Sequence, residues 1–169
     1  MPEIVIRQAN ALDFPNIIQV NDGEVQHTSV MDLKRLAELH ALSNYHRVIV
    51  VDESVAGFIL AMRESAAYAN ENFNFFTARY PSFLYVDRIV IDAQYAGLKL
   101  GTLLYKDLFD YARLNAIAVV TCEYNIEPPN EPSRRFHDKF GFQEIGTHWL
   151  DAGKKRVSLQ VANALNNIA

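Results

Sequence analysis

Two glycines stand where an apolar segment gives way to a helical pattern. Residues 86–91 are rich in β-branched side chains and predict a mostly buried strand. From about Lys99 the apolar residues recur with helical spacing, and Gly97 and Gly101 bracket the turn between the two segments. The unpaired N–H groups of a helix start, together with the helix dipole, bind anions such as phosphate. The stretch therefore indicates a phosphate site built from backbone, while glycines that only turn the chain would give the same pattern.

Two carboxylates interrupt segments that otherwise predict buried strands. Asp87 lies in the strand before the glycine turn, and Glu123 lies in the strand predicted at 117–124. A buried carboxylate is costly unless it is paired, and burial shifts such groups towards the range useful for a general base. Each is therefore a candidate base. The alternative for each is an outward-facing sheet residue or an ion pair, which for Asp87 would involve Arg88 or Arg63.

The remaining pattern supplies the elements that must position these groups. The order is strand, two helices, three strands, helix, strand, helix and two strands, which predicts a mixed α/β (α+β) domain with a mostly antiparallel sheet. We expect one domain over residues 1–163 and a frayed C-terminal tail over 164–169. Gly57, inside the third strand, marks a bulge or a close backbone approach. The segment 65–82 is the least regular and rich in aromatic residues, and it predicts a lid or pocket wall, or alternatively a dimer contact.

Composition excludes several classes of protein. The chain has 169 residues, a formal charge of −4 and no basic block, so neither a nucleic acid nor a membrane surface is an expected partner. A single cysteine, Cys122, allows no internal disulfide and favours a cytoplasmic location. No signal peptide or membrane span is expected. The histidines at 27, 40, 46 and 148 share no ligand spacing, so we expect no metal site.

Two blocks of the sequence resemble the GNAT superfamily of acetyltransferases, which move an acetyl group from acetyl-CoA to an amine. The first block is similar to the family's strand-loop-helix pattern V-x-P-x-Y-R-G-x-G-x-G, and the second to its N-x-x-S-x-x-(L/F)-Y-x-x-x-G-F pattern. The first consists of Ile91, Tyr95, Gly97, Lys99 and Gly101; the second consists of Asn130, Ser133, Phe136, His137, Phe140, Gly141 and Phe142. With the order of elements, the resemblance covers about residues 4–161.

The resemblance implies a splayed sheet of about seven strands flanked by four helices, with acetyl-CoA as co-substrate. The pantetheine arm would pair with the backbone of residues 89–91, where an N–H would polarise the thioester. The residues implied for cofactor binding are Ile89, Val90, Ile91, Ala96, Gly97, Leu98, Lys99, Leu100, Gly101, Thr102, Asn130, Ser133 and His137. A helix cap would by itself also explain Asn130.

Three positions depart from the family's pattern. Ala96 stands where the family has Gln or Arg, and Lys99 stands where it has Gly or Ala. We expect phosphate binding to be retained, because backbone donors do most of this work. His137 occupies the position of the tyrosine that protonates the departing thiolate. Histidine is a competent general acid, and if the role is lost, solvent protonates the thiolate. Glu123 ranks ahead of Asp87 as base, because related enzymes often place a glutamate there.

The sequence therefore predicts an N-acetyltransferase in which a primary amine attacks the thioester of acetyl-CoA directly. One alternative is a catalytically silent acyl-CoA-binding or sensor module, and another is a different nucleotide-phosphate binder that uses the glycine turn. The acceptor is expected to be a small-molecule or peptide amine. Its pocket is expected at segments 22–27 and 68–80, because in the family the equivalent segments face the thioester. A homodimer is a family-level expectation. The residues expected to form the substrate pocket are Glu24, Tyr68, Phe73, Phe75 and Phe76.

Overall fold

The computed structural model describes residues 1–25 and 28–165 of the chain. Within these residues it contains seven strands and five helices. The strands are β1 (Ile4–Gln8), β2 (Tyr45–Val51), β3 (Ser54–Arg63), β4 (Phe83–Ile91), β5 (Val119–Glu127), β6 (Gln143–Leu150) and β7 (Lys155–Asn163). The helices are α1 (Phe14–Asp22), α2 (Leu33–Leu42), α3 (Glu71–Thr77), α4 (Leu100–Leu114) and α5 (Glu131–Asp138). The predicted fold class, a mixed α/β domain with a mostly antiparallel sheet of seven strands, is confirmed.

The described chain forms two compact units. The first comprises the described residues up to Met62 together with Val86–Leu108, and the second comprises Arg63–Tyr85 and the described residues from 109 onward. The first unit has the strand order β1-β2-β3-β4, and the second has the order β4-β5-β7-β6, so that β4 contributes to both. The single domain over residues 1–163 stays a prediction. Of the predicted tail, Ala164 is buried and donates its N–H to the Ala118 carbonyl oxygen, and residues 166–169 lie outside the described residues.

Gly57 lies in the first unit, where strand β3 approaches strand β4 closely. A Cβ at this position would be 2.7 Å from the Val90 carbonyl oxygen and 2.7 Å from Ile91 Cδ1. The register between β2 and β3 also shifts between Ile49 and Val50, close to the residue that pairs with Gly57. The predicted bulge or close approach at Gly57 is therefore confirmed, and the absent side chain is what lets β4 lie this near to β3.

Helix α3 lies in the segment that the sequence predicted to be irregular. The Asn70 side chain caps it by accepting a hydrogen bond of 3.0 Å from the Phe73 N–H. Phe73 and Phe76, three residues apart, both point into the core of the second unit and pack against Phe83 and Tyr85. The helix has only 7 residues, so its apolar spacing completes too few turns to stand out from the sequence. Burial of these rings fixes α3 on one face of the sheet.

His46 is a buried titratable group of the first unit. Its Nδ1 lies 2.8 Å from His40 Nδ1, and the His46 ring packs edge-on against Phe58. Burial, reinforced by the charge of His40 and opposed by that of Asp13, lowers the pKa of His46 to about 4 from an ordinary value of 6.5. The folded chain therefore favours the neutral imidazole, since burial penalises the charged form.

We expect His46 to make the free energy of unfolding pH-dependent. As the pH falls from 6.5 to about 4, the unfolded chain binds a proton at this residue that the folded chain does not, so stability is lost across that window. The shift corresponds to about 3 kcal/mol. Urea unfolding of the wild type and His46→Gln at about pH 7 and pH 4 measures the effect. Equal pH dependence of the two proteins would contradict the prediction, since other acid-sensitive groups, including Asp13, are common to both.

Candidate active site

The loop that the sequence predicts to bind phosphate lies in the first unit, between β4 and α4. Asp92 caps a short 3-10 turn at Ala93–Tyr95 by accepting a hydrogen bond of 2.9 Å from the Gln94 N–H. The chain then turns through two residues of positive φ, Gly97 at +92° and Lys99 at +58°, and enters α4 at Leu100. A lysine rarely adopts such a φ, and strain of this kind is concentrated at turns and at functional sites.

The start of α4 offers backbone donors at this loop. The Leu103 N–H donates to the Lys99 carbonyl oxygen, whereas the N–H groups before it precede the first complete helical hydrogen bond. These donors belong to Leu100, Gly101 and Thr102, and the preceding loop residues are exposed to solvent. Together with the positive end of the α4 dipole, this arrangement can hold a phosphate group. The structure thus brings the residues predicted at 96–102 into one loop and one helix start, beside the strand end at 89–91.

Asp87 forms an ion pair with Arg88 in the first unit. Arg88 Nε donates to Asp87 Oδ2 at 3.0 Å, and the two side chains are only 8% and 6% exposed. Arg88 Nη1 also donates to Asn21 Oδ1 at 3.1 Å and to the Ser29 carbonyl oxygen at 2.9 Å. The alternative stated for Asp87 from the sequence, an ion pair with Arg88, is therefore present. The Arg88 guanidinium therefore already compensates the charge of this buried carboxylate.

Glu123 accepts a hydrogen bond from the Tyr85 hydroxyl in the second unit. Tyr85 is buried among Tyr68, Phe73 and Phe76, whereas Glu123 is half-buried in β5. The two residues come together because β4 and β5 pair in parallel. Tyr85 lies opposite Thr121, and Glu123 follows two positions after Thr121 on the same strand. A carboxylate held by a buried phenol, with part of its surface open, can accept a proton from a substrate.

His137 is buried on α5 and has its Nδ1 engaged. This atom lies 2.7 Å from the Ser133 carbonyl oxygen, which can only accept, so Nδ1 carries the proton and donates it there. Burial lowers the pKa of His137, although its bond to Ser133 and the charge of Asp138 oppose the shift. At neutral pH the ring is therefore largely neutral, with its one proton already committed. The geometry offers little support for a general acid at this position.

Asn130 caps α5, which was the alternative stated for it. Its side-chain oxygen accepts a hydrogen bond of 3.3 Å from the Ser133 N–H. The cap fixes the start of the helix that carries Ser133 and His137, so these three predicted residues are brought together in the second unit. The cap accounts for Asn130 without a cofactor contact.

The residues predicted for the substrate pocket divide into two groups. Tyr68, Phe73 and Phe76 are buried and form the aromatic core under Tyr85. Phe75 instead lines an open cavity of about 410 Å³ in the second unit. The residues around this cavity are Glu71, Asn74, Phe75, His148 and Trp149. Glu24 is half-buried in the first unit, and the predicted segment 22–27 ends in residues that lie outside the described ones.

The sequence analysis gave Tyr85, His148 and Trp149 no role in the site. Tyr85 lies in an apolar strand and becomes a partner of Glu123 only through the parallel register of β4 and β5. His148 and Trp149 lie on β6, far from α3 in sequence, and meet it only through packing. The one signal that the sequence offered for these residues was a side chain with a polar group inside a predicted strand.

No group of three or more His, Cys, Asp or Glu side chains in residues 1–25 and 28–165 is placed to hold a metal ion. None of the helices seen in these ranges has the length and hydropathy that crossing a membrane requires.

Comparison with known proteins adds three findings. Residues 9–142 match the sequence model of the Acetyltransferase (GNAT) family. A phosphinothricin N-acetyltransferase of Streptomyces coelicolor is 41% identical over 59 residues, which are 35% of this chain and 33% of that protein, so the match spans about a third of its length.

Solved structures share the fold over nearly the whole chain. Ard1 from Thermoplasma volcanium has a TM-score of 0.78 at 15% identity, covering 95% of this chain and 97% of its own. The acetyltransferase yncA from Salmonella typhimurium, solved with its cofactor acetyl-CoA, has a TM-score of 0.72 at 20% identity, covering 99% and 96%. At these identities the likeness shows the fold alone.

Proposed function

Because the chain belongs to the Acetyltransferase (GNAT) family, we propose that it transfers an acetyl group from acetyl-CoA to a primary amine by direct attack on the thioester. The observation that carries the proposal is the loop at the start of α4. Gly97 and Lys99 turn the chain there with positive φ, and the first-turn N–H groups of α4 follow at once. A phosphate-bearing co-substrate suits these donors, and acetyl-CoA is the one that the family uses.

The residues 96–102 would hold the pyrophosphate of acetyl-CoA. Backbone N–H groups carry most of this role, so Ala96 and Lys99 do not remove it although they depart from the family's pattern. The exposed Lys99 adds a positive charge at the loop. The backbone of residues 89–91 would pair with the amides of pantetheine, as an added strand pairs with an edge. Bound acetyl-CoA would supply the acetyl group, and the residues that hold it would position the thioester.

Glu123 is the proposed general base. A protonated amine must lose a proton before or during attack. Glu123 is a half-buried carboxylate that accepts a hydrogen bond from a neutral donor, the Tyr85 hydroxyl. Asp87 is the weaker candidate because its charge is already compensated by Arg88. The Tyr85 hydroxyl orients the Glu123 side chain, which makes Tyr85 a positioning residue.

Solvent is the proposed proton source for the departing thiolate. The thiolate of coenzyme A leaves as a stable anion, so no strong acid is needed. The lowered pKa of His137 and the commitment of its Nδ1 proton to Ser133 both work against a donor role. His137 then serves mainly to pack α5 against Tyr124 and Phe142.

The acceptor is proposed to be a small-molecule amine. The partial match to a phosphinothricin N-acetyltransferase supports this class over a protein substrate, within the 59 residues that it covers. A peptide amine is the second possibility. A cytoplasmic location and a homodimer remain part of the same proposal.

A transfer assay tests the proposed function. Purified protein with acetyl-CoA and a panel of primary amines should release free thiol at a rate that depends on the amine. Acetyl-CoA binding without amine-dependent thiol release over the whole panel would instead favour the silent acyl-CoA-binding module. Equal binding of acetyl-CoA and of bare adenosine diphosphate would favour a nucleotide binder.

A further inference from the structure

A buried arginine ties the connection between α1 and α2 to strand β4, and all of these elements belong to the first unit. Arg88 Nη1 donates to Asn21 Oδ1 at 3.1 Å and to the Ser29 carbonyl oxygen at 2.9 Å. Asn21 lies in the last turn of α1 and is fully buried, and Ser29 lies near the other end of the connection. The arginine therefore holds both ends of the connection at once.

Asn21 adds a second contact between the same two ends. Its Nδ2 donates to the Ser29 carbonyl oxygen at 2.9 Å, so this oxygen accepts from both Asn21 and Arg88. The Asn21 amide thus uses its nitrogen for Ser29 and its oxygen for Arg88, which a side chain with only donors or only acceptors could not do. We call Asn21, Ser29 and Arg88 the neck of the connection.

Two backbone hydrogen bonds shape the described part of the connection beyond the neck. The Glu24 N–H donates to the Asn21 carbonyl oxygen at 3.0 Å, and the Thr28 N–H donates to the Glu24 carbonyl oxygen at 3.1 Å. None of residues 23–25 and 28–30 is buried. Because exposed segments gain little order from packing, the shape of these residues depends on how the neck is held.

Asp87 supplies the charge that keeps Arg88 in place. Its Oδ2 accepts from Arg88 Nε at 3.0 Å, and both side chains are buried. A buried guanidinium without acceptors is costly, and its N–H groups point in fixed directions. A displaced connection would remove the acceptors that Asn21 and Ser29 provide, so the buried pair favours one arrangement of the neck.

The neck lies at the part of β4 where the co-substrate is proposed to bind. Arg88 directly precedes residues 89–91, whose backbone would pair with pantetheine under the proposed function. The connection is hydrogen-bonded to the Arg88 side chain, so its ends lie beside this stretch of the strand. Residues 23–25 and 28–30 are thus placed where a molecule that reacts with the bound thioester could contact them.

We propose that Arg88, Asn21 and Asp87 are positioning residues, which hold the described residues of the connection as one wall of the site for the acceptor amine. Asp87 acts through Arg88 and not on the amine itself. The place of the wall beside the amine rests on the proposed function, whereas its attachment to β4 rests on the contacts of the neck.

Amide hydrogen exchange measured by NMR tests the neck without catalysis. Asn21→Ala is the test variant, and Val48→Ala is the matched control, because it leaves a cavity at a fully buried residue of the same unit that is not part of the neck. We expect exchange at Glu24 and Thr28 to be about tenfold faster in Asn21→Ala and unchanged in Val48→Ala. Wild-type exchange in Asn21→Ala, or equal acceleration in the control, would overturn the inference.

Steady-state kinetics with a reactive amine tests the positioning role. In Asn21→Ala and in Asp87→Asn, which keeps the shape of the aspartate, we expect the KM for the amine to rise about fivefold and kcat to change less than about twofold. The pH profile of kcat/KM should keep its shape, because no base is removed. A loss of kcat with an altered pH profile in Asp87→Asn would identify Asp87 as the base and overturn the inference.

The two measurements separate this inference from the proposed function. Amine acetylation with a wild-type KM in both variants would uphold the transferase and overturn the positioning role. Faster exchange in Asn21→Ala, in a protein that acetylates no amine, would contradict the transferase and with it the wall, and would leave the neck as a structural tie.

Discussion

Glu123→Gln is expected to lower kcat about a hundredfold at neutral pH, the range that general-base catalysis contributes. Glutamine has nearly the same shape and can still accept the hydrogen bond from the Tyr85 hydroxyl, but it cannot take a proton from the amine. The affinity for acetyl-CoA should stay the same, because the residues proposed to bind it are elsewhere in the sequence. Steady-state kinetics with a fixed amine, combined with calorimetry of acetyl-CoA binding, measures both quantities.

Glu127→Gln is the matched control for this prediction. Glu127 is at the end of the same strand, is exposed, and makes a long contact of 3.8 Å with Arg156. Its kcat should equal that of the wild type within about twofold, as for most surface substitutions. Tyr85→Phe should have an intermediate effect on kcat, since it removes the orienting hydroxyl and keeps the carboxylate. A Glu123→Gln enzyme with wild-type kcat would show that the base is another group or water.

Arg88→Ala is expected to lower the free energy of unfolding by about 3–5 kcal/mol, the cost of leaving a buried charge without its partner. The change removes three hydrogen bonds, to Asp87, to Asn21 and to the Ser29 carbonyl oxygen, and all lie in the first unit. Asn21 is fully buried, so its side-chain oxygen has no easy access to water. Urea denaturation at neutral pH measures the loss.

Arg134→Ala is the control for the arginine substitution. Arg134 pairs with Glu131 at 3.0 Å, a distance equal to that of the buried pair, but both side chains are about half exposed at 53% and 51%. Exposed pairs contribute little to stability, so this variant should be nearly as stable as the wild type. The comparison separates burial from contact distance. Similar losses for the two variants would mean that the Arg88 network contributes no more than a surface pair.

The strands and four of the helices could be predicted because their apolar periodicities are long enough to be distinctive. Strand β2 and the return strand β3 are joined by a turn at Asp52 and Glu53, which have φ of +46° and +71°, as the tight hairpin predicted there requires. Helix α3 could not be predicted, because its 7 residues are stabilised by the burial of Phe73 and Phe76 rather than by local pattern.

The candidate site was predictable in its residue types and much less so in its pairings. The apolar setting of Asp87 and Glu123 was visible in the sequence, but their different roles depend on which neighbour each one meets. Arg88 is adjacent in sequence to Asp87 and could be proposed as its partner. Tyr85 meets Glu123 only through the register of a parallel strand pair, which no local pattern encodes. The positive φ of Lys99 was also hidden, because lysine seldom adopts it.

We propose that the start of α4 holds the phosphates of acetyl-CoA, and calorimetric titration measures this binding. Acetyl-CoA is titrated into the wild type, Gly101→Trp and the control Lys106→Trp, with adenosine diphosphate as a second ligand. Lys106 is exposed on the same helix, whereas the Gly101 backbone belongs to the first turn that must approach the phosphates. We expect micromolar binding of acetyl-CoA to the wild type and Lys106→Trp, weaker binding of adenosine diphosphate, and loss of binding in Gly101→Trp. Unchanged affinity in Gly101→Trp, or no binding to the wild type, would contradict it.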